Sequence, residues 1–493
     1  MAEDQKFVED ISDKDDDFSK WYNDVVLKAE LADHAAQQLG GFMIIRPYGY
    51  AIWENIQAAL DRRFKETGVV NAYFPLLIPE SFFAKEAEHI EGFAPEVAWV
   101  TEGGGEILKE RLAIRPTSET IIGHSYARWV QSYRDLPLLI NQWCNVLRWE
   151  KRTRLFLRTS EFLWQEGHTA HATLAEAEER TRMMLDIYQQ TVEEDLAMPV
   201  LPGQKTENEK FAGALRTYSI EAMMGNGMAL QVATSHNLGQ NFARSFDIQF
   251  LDTDGQRKLC STTSWGASTR LIGGVIMVHG DNAGLILPPK IAPWQVVIVP
   301  IWRKDAEKSL VFEAIGRAEK LLKAAGVRVK TDLSENNSPG WKYNEYEMRG
   351  VPLRLEMGPR DLQNNAAMLV RRDNRAKESV SLDGLAGRVQ EILADLQHSL
   401  YARALKFRQE NTHEISDYAQ FKEFFLSGNQ RGFVVAPWAE DRAAEKRIKE
   451  ETKATIRNYP FNLGDNINSD MSGRKAIFTD KPAERLAVFA RAY

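Results

Sequence analysis

Between positions 148 and 168 the chain carries Arg148, Glu150, Arg158, Phe162, Trp164, Glu166 and His168. These residue types have complementary chemistry. A guanidinium grips phosphate through two parallel hydrogen bonds, an aromatic side chain stacks on a flat ring, and an acid beside a histidine holds an ammonium. Gathered on one surface, they would bind a small molecule that has all three kinds of group. The competing reading is a solvent-facing ladder of cross-strand ion pairs. The surface is too rich in aromatics for a plain solvent face and too charged for core.

Such a surface requires a scaffold, and the local pattern supplies one. Two runs rich in aromatic and aliphatic residues, 141–149 and 155–164, flank Lys151-Arg152-Thr153-Arg154, which reads as a long β-hairpin. Strand side chains alternate faces. Arg148 and Glu150 then share a face, as do Arg158, Ser160, Phe162, Trp164, Glu166 and His168, while Leu155, Leu157, Leu163 and Gln165 take the other.

Upstream, a helical pattern covers 18–39 and ends at Gly40-Gly41, followed by a loop and short strand over 41–50. Ile52, Ile56, Ala59, Leu60 and Phe64 repeat at helical spacing over 51–67, with Gly68 where a C-cap belongs. A strand over 69–74 then meets Pro75. In Ile114-Arg115-Pro116-Thr117-Ser118-Glu119-Thr120, Pro116 fits the first position of a helix and the hydroxyls suit capping. Downstream, Thr173 and Glu176 form a capping box that opens a helix to about 196. A second hairpin pairs 246–250 with 256–262 across Asp252-Thr253-Asp254-Gly255. Ser264-Trp265-Gly266-Ala267-Ser268-Thr269-Arg270 leads into an apolar helix over 271–278. Beyond Pro288-Pro289, strands at 294–300, 327–330, 351–356 and 367–371 alternate with helices at 306–325, 339–348 and from 385, which argues a small α/β domain with a mixed sheet. A third unit starts near Tyr401, with a strand at 433–438 and a helix over 440–452.

Composition narrows the class. With 493 residues, 44% hydrophobic and 27% charged, the chain reads as a soluble enzyme of two or three domains. The acidic stretch 1–18 has no apolar segment of the secretory type, and no apolar run is long enough to span a bilayer. Cys144 and Cys260 are too few for a disulfide framework or a cysteine-built zinc site, so a reducing cytoplasm is expected. The net charge of −7 does not advertise nucleic acid, but local charge decides docking.

Arg148-Trp149-Glu150, a loop, then Arg158-Thr159-Ser160-Glu161-Phe162 resembles motif 2 of the class II aminoacyl-tRNA synthetases, and Leu163-Trp164-Gln165-Glu166-Gly167-His168 resembles its prolyl-specific version. The helix and strand over 51–74 resemble motif 1, which builds the dimer interface in that superfamily, and 264–270 resembles motif 3. The small residues of motif 3 let backbone approach a nucleotide, and its helix N-terminus favours phosphate. The resemblance continues through Met357-Gly358-Pro359-Arg360-Asp361-Leu362 and to Tyr493, covering almost the whole chain.

The resemblance implies an antiparallel class II catalytic domain over 18–290 behind an acidic leader at 1–17. An α/β anticodon-binding domain over 291–400 and a small α/β C-terminal domain over 401–493 would follow. The subtype implied is archaeal/eukaryotic, without an editing insertion. The activity implied is ligation of L-proline to tRNA(Pro) through a prolyl-adenylate, with ATP as substrate, Mg²⁺ to offset polyphosphate charge, and a homodimer formed through motif 1. Arg148 and Arg270 would be the catalytic residues, Arg148 touching both the proline carboxylate and the α-phosphate. Glu150 would bind the adenine amino group, with Arg158, Thr159, Gln231, Thr234 and Ser268 on ATP and Phe162 and Arg270 sandwiching the ring. Trp164, Glu166, His168, Phe211 and His236 would enclose the pyrrolidine, with Thr117 and Glu119 at its ammonium. Arg349, Arg354, Arg360, Arg371, Arg372, Arg375 and Lys377 give the anticodon-binding domain a basic character suited to phosphate.

In the C-terminal domain, Ala439, Ala444, Ala476 and Thr479 stand where the family often has four zinc-binding cysteines. No zinc is therefore expected, with Phe433, Trp438, Ile448, Ile456 and Phe478 packing in its place, and Tyr493 is expected to dock towards the catalytic domain. Three rivals carry less. The second domain opposes an adenylate-forming enzyme that never charges tRNA. The presence of Arg148 and Arg270 opposes a non-catalytic paralogue, and Trp164-Gln165-Glu166-Gly167-His168 opposes threonyl or seryl specificity.

Overall fold

The computed structural model describes residues 11–35, 41–87, 97–428, 431–463, 467 and 470–493. Helix α1 (Phe18–Lys28) is capped by Asp17, whose carboxylate accepts from Ser19 and Lys20 N–H groups. It stops eleven residues short of the expected end, and Ala32–His34 instead forms a short strand with Met43–Ile45; 36–40 lie outside the described residues. The leader is not a separate segment throughout. Lys14 Nζ donates to Gly280 O at 2.6 Å and its backbone N–H to Asn282 at 2.8 Å, while 1–10 lie outside the described residues. Helix α2 (Pro47–Glu66) begins four residues earlier than its apolar spacing indicates, because Pro47 occupies its first turn.

Strands β1 (Val70–Asn71), β2 (Leu138–Leu147), β3 (Glu161–His171), β4 (Val200–Gln204), β5 (Arg216–Met223), β6 (Ala229–Gly239) and β7 (Ser261–Ser268) build the catalytic sheet. Helix α3 (Glu119–Trp129) precedes β2, α4 (Leu174–Glu194) packs behind the sheet, and α5 (Arg270–His279) leaves β7 directly. The Thr173–Glu176 capping box forms as read. The expected second hairpin shrinks to Gln249–Leu251 paired with Arg257–Leu259, since Asn241–Phe246 is helical.

The β2–β3 pair is antiparallel, with Gln142 opposite Glu166 and Leu147 opposite Glu161. Its second strand starts at 161 rather than 155. Leu155, Phe156 and Leu157 are instead buried in the main core beside Tyr22, whose hydroxyl donates to Leu155 O at 2.7 Å. Three consecutive apolar side chains cannot all face one side of a strand, and a looped conformation buries all three.

In the anticodon-binding domain, β8 (Val296–Pro300), β9 (Val329–Thr331), β10 (Leu353–Met357), β11 (Ala366–Arg371) and β12 (Lys377–Ser381) pair in the order β9-β8-β10-β11-β12. The first two junctions are parallel and the last two antiparallel, the mixed sheet that alternating strands and helices imply. Helices α6 (Asp305–Ala324), α7 (Pro339–Met348) and α8 (Leu385–Glu410) accompany it. Helix α8 runs unbroken through the boundary expected at 400, with Leu396 and Leu400 buried in the anticodon-domain core and Phe407 packed on the next unit.

That unit holds β13 (Thr412–Glu414), β14 (Phe433–Trp438), α9 (Arg442–Thr452), β15 (Thr455–Pro460) and β16 (Arg485–Ala490). It is not an appended module. Strand β15 pairs with β4, so one sheet runs β13-β14-β16-β15-β4-β5-β6-β7-β3-β2-β1 across both units. Trp438, Ile448 and Ile456 share a core that Phe478 flanks, while Phe433, of opposite parity on β14, packs with Leu201 and Met223 of the catalytic unit. Ala439, Ala444 and Ala476 are buried. Tyr493 docks as expected on the catalytic side: its N–H donates to Ala229 O at 3.2 Å, and Arg154 lies 5.3 Å from its ring centroid.

Candidate active site

Glu166 sits in mid-β3, 2% exposed, and its carboxylate gathers donors from three elements. Thr117 Oγ1 donates at 3.0 Å, Ser118 N–H at 2.9 Å and Gln142 Nε2 at 3.1 Å, and His168 Nε2 lies 3.2 Å away. Burial pushes a carboxyl pKa up. Here the hydrogen bond and charge of His168 and the Ser118 donors outweigh it and hold Glu166 at about 2. The result is a fixed anion facing Thr117 and Glu119. It also explains why α3 starts at 119: Ser118 is the N-cap by position, but its N–H is committed to Glu166 and its side chain makes no capping bond. Pro116 therefore precedes the helix instead of opening it, and its carbonyl accepts from Arg148 Nε at 3.0 Å.

Arg148 leaves the end of β2 and projects over the rings of Phe162 and Trp164, at 5.6 and 5.2 Å from their centroids. Arg270, at the start of α5, donates through Nε to Leu157 O at 3.1 Å and through Nη1 to Gln231 O at 3.3 Å. These two bonds fix its guanidinium. Burial, and then the charge of Arg148, lowers the Arg270 pKa from its ordinary value. Like charges held this near one another call for an anion between them. Gly167 is required by the sheet itself, since a Cβ there would fall 2.1 Å from the Trp265 ring.

At the other end, Phe211 lies 4.9 Å from His236 centroid to centroid. His236 Nδ1 is 3.0 Å from Thr217 Oγ1, which also accepts from Phe211 N–H at 2.9 Å. Burial, helped by the charge of His168, drops the His236 pKa to about 3, so its ring is neutral at pH 7.

These groups surround one cavity of about 500 Å³. Of the residues read from sequence, Thr117, Glu119, Arg148, Phe162, Trp164, Glu166, His168, Phe211, Gln231, Thr234, His236, Ser268 and Arg270 line it. Glu150, Arg158 and Thr159 do not. Arg158 Nε and Glu150 Oε2 pair with each other at 2.8 Å on the loop, and the Thr159 hydroxyl is buried with no hydrogen-bond partner among the described residues. The cause is the turn at 154–158, in which Arg158 N–H donates to Arg154 O, so the loop does not continue the strand face.

Sequence reasoning overlooked Lys205, Glu209, Thr217, Ser264 and Trp265 in the lining. Ser264 was legible: it alternates with Gly266 and Ser268, which oppose His168, Glu166 and Trp164 on β3. Lys205 was not, for it lies in a polar connector brought in by β4. Its Nζ donates to the buried Glu221 at 2.9 Å, and Glu221 also receives Arg457 at 3.0 Å.

Comparisons with known proteins cover all three parts of the chain. The family description "tRNA synthetase class II core domain (G, H, P, S and T)" matches residues 101–279, "Anticodon binding domain" matches 295–392, and "Prolyl-tRNA synthetase, C-terminal" matches 420–493. A proline–tRNA ligase of Symbiobacterium thermophilum is 55% identical over 500 residues, covering 100% of both chains. One of Chlorobium luteolum is 56% identical over 486 residues, covering 98% of this chain and 99% of its own. The crystal structure of a prolyl-tRNA synthetase from Cryptosporidium parvum, complexed with halofuginone and AMPPNP, superposes with a TM-score of 0.92 at 42% identity, covering 98% of this chain and 99% of that one. With a cavity of this design and relatives matched end to end, this chain belongs to the proline–tRNA ligases, the prolyl branch of the class II aminoacyl-tRNA synthetases.

Proposed function

We propose that the cavity binds L-proline and ATP side by side and that the chain ligates proline to tRNA(Pro) in two steps. The observation that carries this reading is the charge layout of one pocket: the anionic Glu166 at one end, and Arg148 and Arg270 at the other. An amino acid bound between them has its ammonium at Glu166, Thr117 and Glu119 and its carboxylate at Arg148. Its ring lies among Trp164, His168, Phe211 and the neutral His236. In the first step a proline carboxylate oxygen attacks the α-phosphorus of ATP and the bond to pyrophosphate breaks. In the second, the terminal ribose hydroxyl of tRNA attacks the carbonyl carbon of the adenylate and AMP leaves. No covalent enzyme intermediate is required, so positioning and neutralisation of developing charge provide the rate.

Arg148 bridges carboxylate and α-phosphate, and Arg270 and Phe162 clasp the adenine. Gln231, Thr234 and Ser268 are the remaining ATP contacts. Glu150, Arg158 and Thr159 join them once nucleotide draws the 148–160 loop inward and opens the Glu150–Arg158 pair. That pair is exposed and weak, on the order of 1 kcal/mol or less. Among the described residues no three His, Cys, Asp or Glu side chains converge on a metal cage. Magnesium accordingly enters as the complex of ATP, held mainly by phosphate oxygens and water.

One helix, α4, separates β3 from β4, and the chain carries a C-terminal unit, both of which support the archaeal/eukaryotic subtype. The domain divisions at 18–290, 291–400 and 401–493 are supported by the separate five-stranded sheet of the middle part, although α8 crosses the second boundary and the C-terminal strands share the catalytic sheet. Val70 and Tyr73, 60% and 71% exposed at the β1 edge, support a homodimer through motif 1. No described helix is long and apolar enough to cross a membrane, and with two free cysteines a cytoplasmic setting fits. For tRNA, the exposed Arg360 and Lys377 offer phosphate contacts, as does Arg375 beside its own ion pair with Glu347. Arg349, Arg354, Arg371 and Arg372 already pair with Glu30, Glu356, Asp373 and Asp281, which makes them structural first.

The test is amino-acid-dependent pyrophosphate exchange across the twenty amino acids, with and without total tRNA. Proline should support exchange without tRNA and exceed all others; greater exchange with another amino acid would overturn the reading.

A further inference from the structure

The segment Lys205–Phe211 delivers Lys205, Glu209 and Phe211 to the cavity; Thr217 and Glu221 of the catalytic unit hold its two ends, and the C-terminal unit holds its middle. Just before it, β4 pairs with β15, Gln204 opposite Tyr459 and Gly203 opposite Pro460. The approach is so close that a Cβ on Gly203 would lie 2.4 Å from Tyr459 O. Within it, Thr206 Oγ1 donates to Glu445 Oε1 at 2.9 Å and Asn208 Nδ2 donates to Glu445 Oε2 at 2.8 Å. Thr206 Oγ1 also accepts the Glu209 N–H at 3.2 Å, and Thr206 O accepts from Glu209 and Lys210 N–H, so the bond to Glu445 anchors the residue on which the turn carrying Glu209 closes. Beneath it, Arg457 holds Glu221 at 3.0 Å, and Glu221 holds Lys205 at 2.9 Å.

We propose that Glu445 and Arg457 are positioning residues of the prolyl site. Through them the C-terminal unit fixes the wall formed by Lys205, Glu209 and Phe211. The inference rests on the reading of the cavity given above. Glu445 is buried in the first turn of α9 and touches nothing in the cavity, so its effect passes through Thr206 and Asn208. Burial raises its carboxyl to about 7 in spite of its two donors, and a glutamine keeps the acceptor that Thr206 meets while losing the one that Asn208 meets. Phe211 packs against His236, at the amino-acid end, so the parameter to move is KM for proline and not KM for ATP. A shift of a wall by about 1 Å is enough to cost on the order of 100-fold.

The experiment measures exchange kinetics for the full chain and for E445A, E445Q, R457M and T206V, with melting temperatures alongside. E445A and T206V should each raise KM for proline about tenfold with KM for ATP within about twofold. The double variant should be no worse than either single one, because both break the same contact. E445Q, which keeps an acceptor for Thr206, should return KM for proline close to the parent value. R457M leaves Glu221 short of a buried partner; if it fails to fold, T206V, which alters no C-terminal residue, still decides the matter. KM values for proline in T206V and E445A within about twofold of the parent overturn the proposal, as do fully additive effects in the double variant. Absence of proline-dependent exchange in the parent overturns the reading of the cavity, and the proposal with it.

Discussion

Arg148 is held by one bond to Pro116 O and by two ring faces, all of which leave its outer N–H groups directed into the cavity. A preorganised cation at a developing anion is worth about 100- to 1000-fold in rate. Arg148→Ala should lose pyrophosphate exchange by that factor with an unchanged melting temperature, and exchange within about threefold of the parent would remove Arg148 from the mechanism. Glu166 makes a different prediction, about acid. Its pKa falls on folding from 4.5 to about 2, so the fold binds its proton less tightly than the unfolded chain does. The stabilisation is complete above pH 4.5 and is lost as pH drops towards 2. The stability gap between the parent and Glu166→Gln, measured by denaturant titration, should be constant from pH 7 to 5 and shrink below that. A gap that widens on acidification would contradict the assignment of Glu166 as a fixed anion.

At the scale of elements, the hairpin and α4 decide what the site can reject. Between β3 and β4 stand α4 and short connectors only. A pocket walled by rings discriminates by about 1–3 kcal/mol per missing methylene, so smaller amino acids enter. Alanine or cysteine should be activated detectably, and purified protein should leave alanyl-tRNA(Pro) intact over the time in which charging completes. Rapid hydrolysis of that product would show an editing centre. The hairpin itself was legible where alternation was clean, from Glu161 to His171. It was misread at 155–157, where three adjacent apolar residues satisfy a strand pattern locally but are buried by Tyr22 and the core around it.

For the molecule as a whole, the shared sheet makes the C-terminal unit part of the catalytic body. Its core is formed by Trp438, Ile448, Ile456 and Phe489 around the buried Ala444, with Ala439 and Ala476 also buried. A structural zinc contributes folding free energy outright; with alanine at 439, 444 and 476 and threonine at 479, packing and the β4–β15 junction are expected to take that part. Dialysed protein should contain no stoichiometric zinc, and its melting temperature should be the same in a strong chelator. Zinc at one per chain, or a large drop with chelator, would show that another ligand set exists.

Strand alternation by itself put Phe162, Trp164, Glu166 and His168 on one face, and alternating strands and helices implied the mixed-sheet domain; the antiparallel class II sheet and the rest of the thirteen cavity residues came from the resemblance of the motifs. Only the tertiary structure decided that Glu150 and Arg158 pair with each other outside the cavity, and that Lys205 enters it. It alone joined the C-terminal strands to the catalytic sheet. Those outcomes depend on contacts such as Arg457 with Glu221, 236 positions apart in the chain. No local pattern encodes which buried charge meets which, since that choice is made by the packing of whole elements.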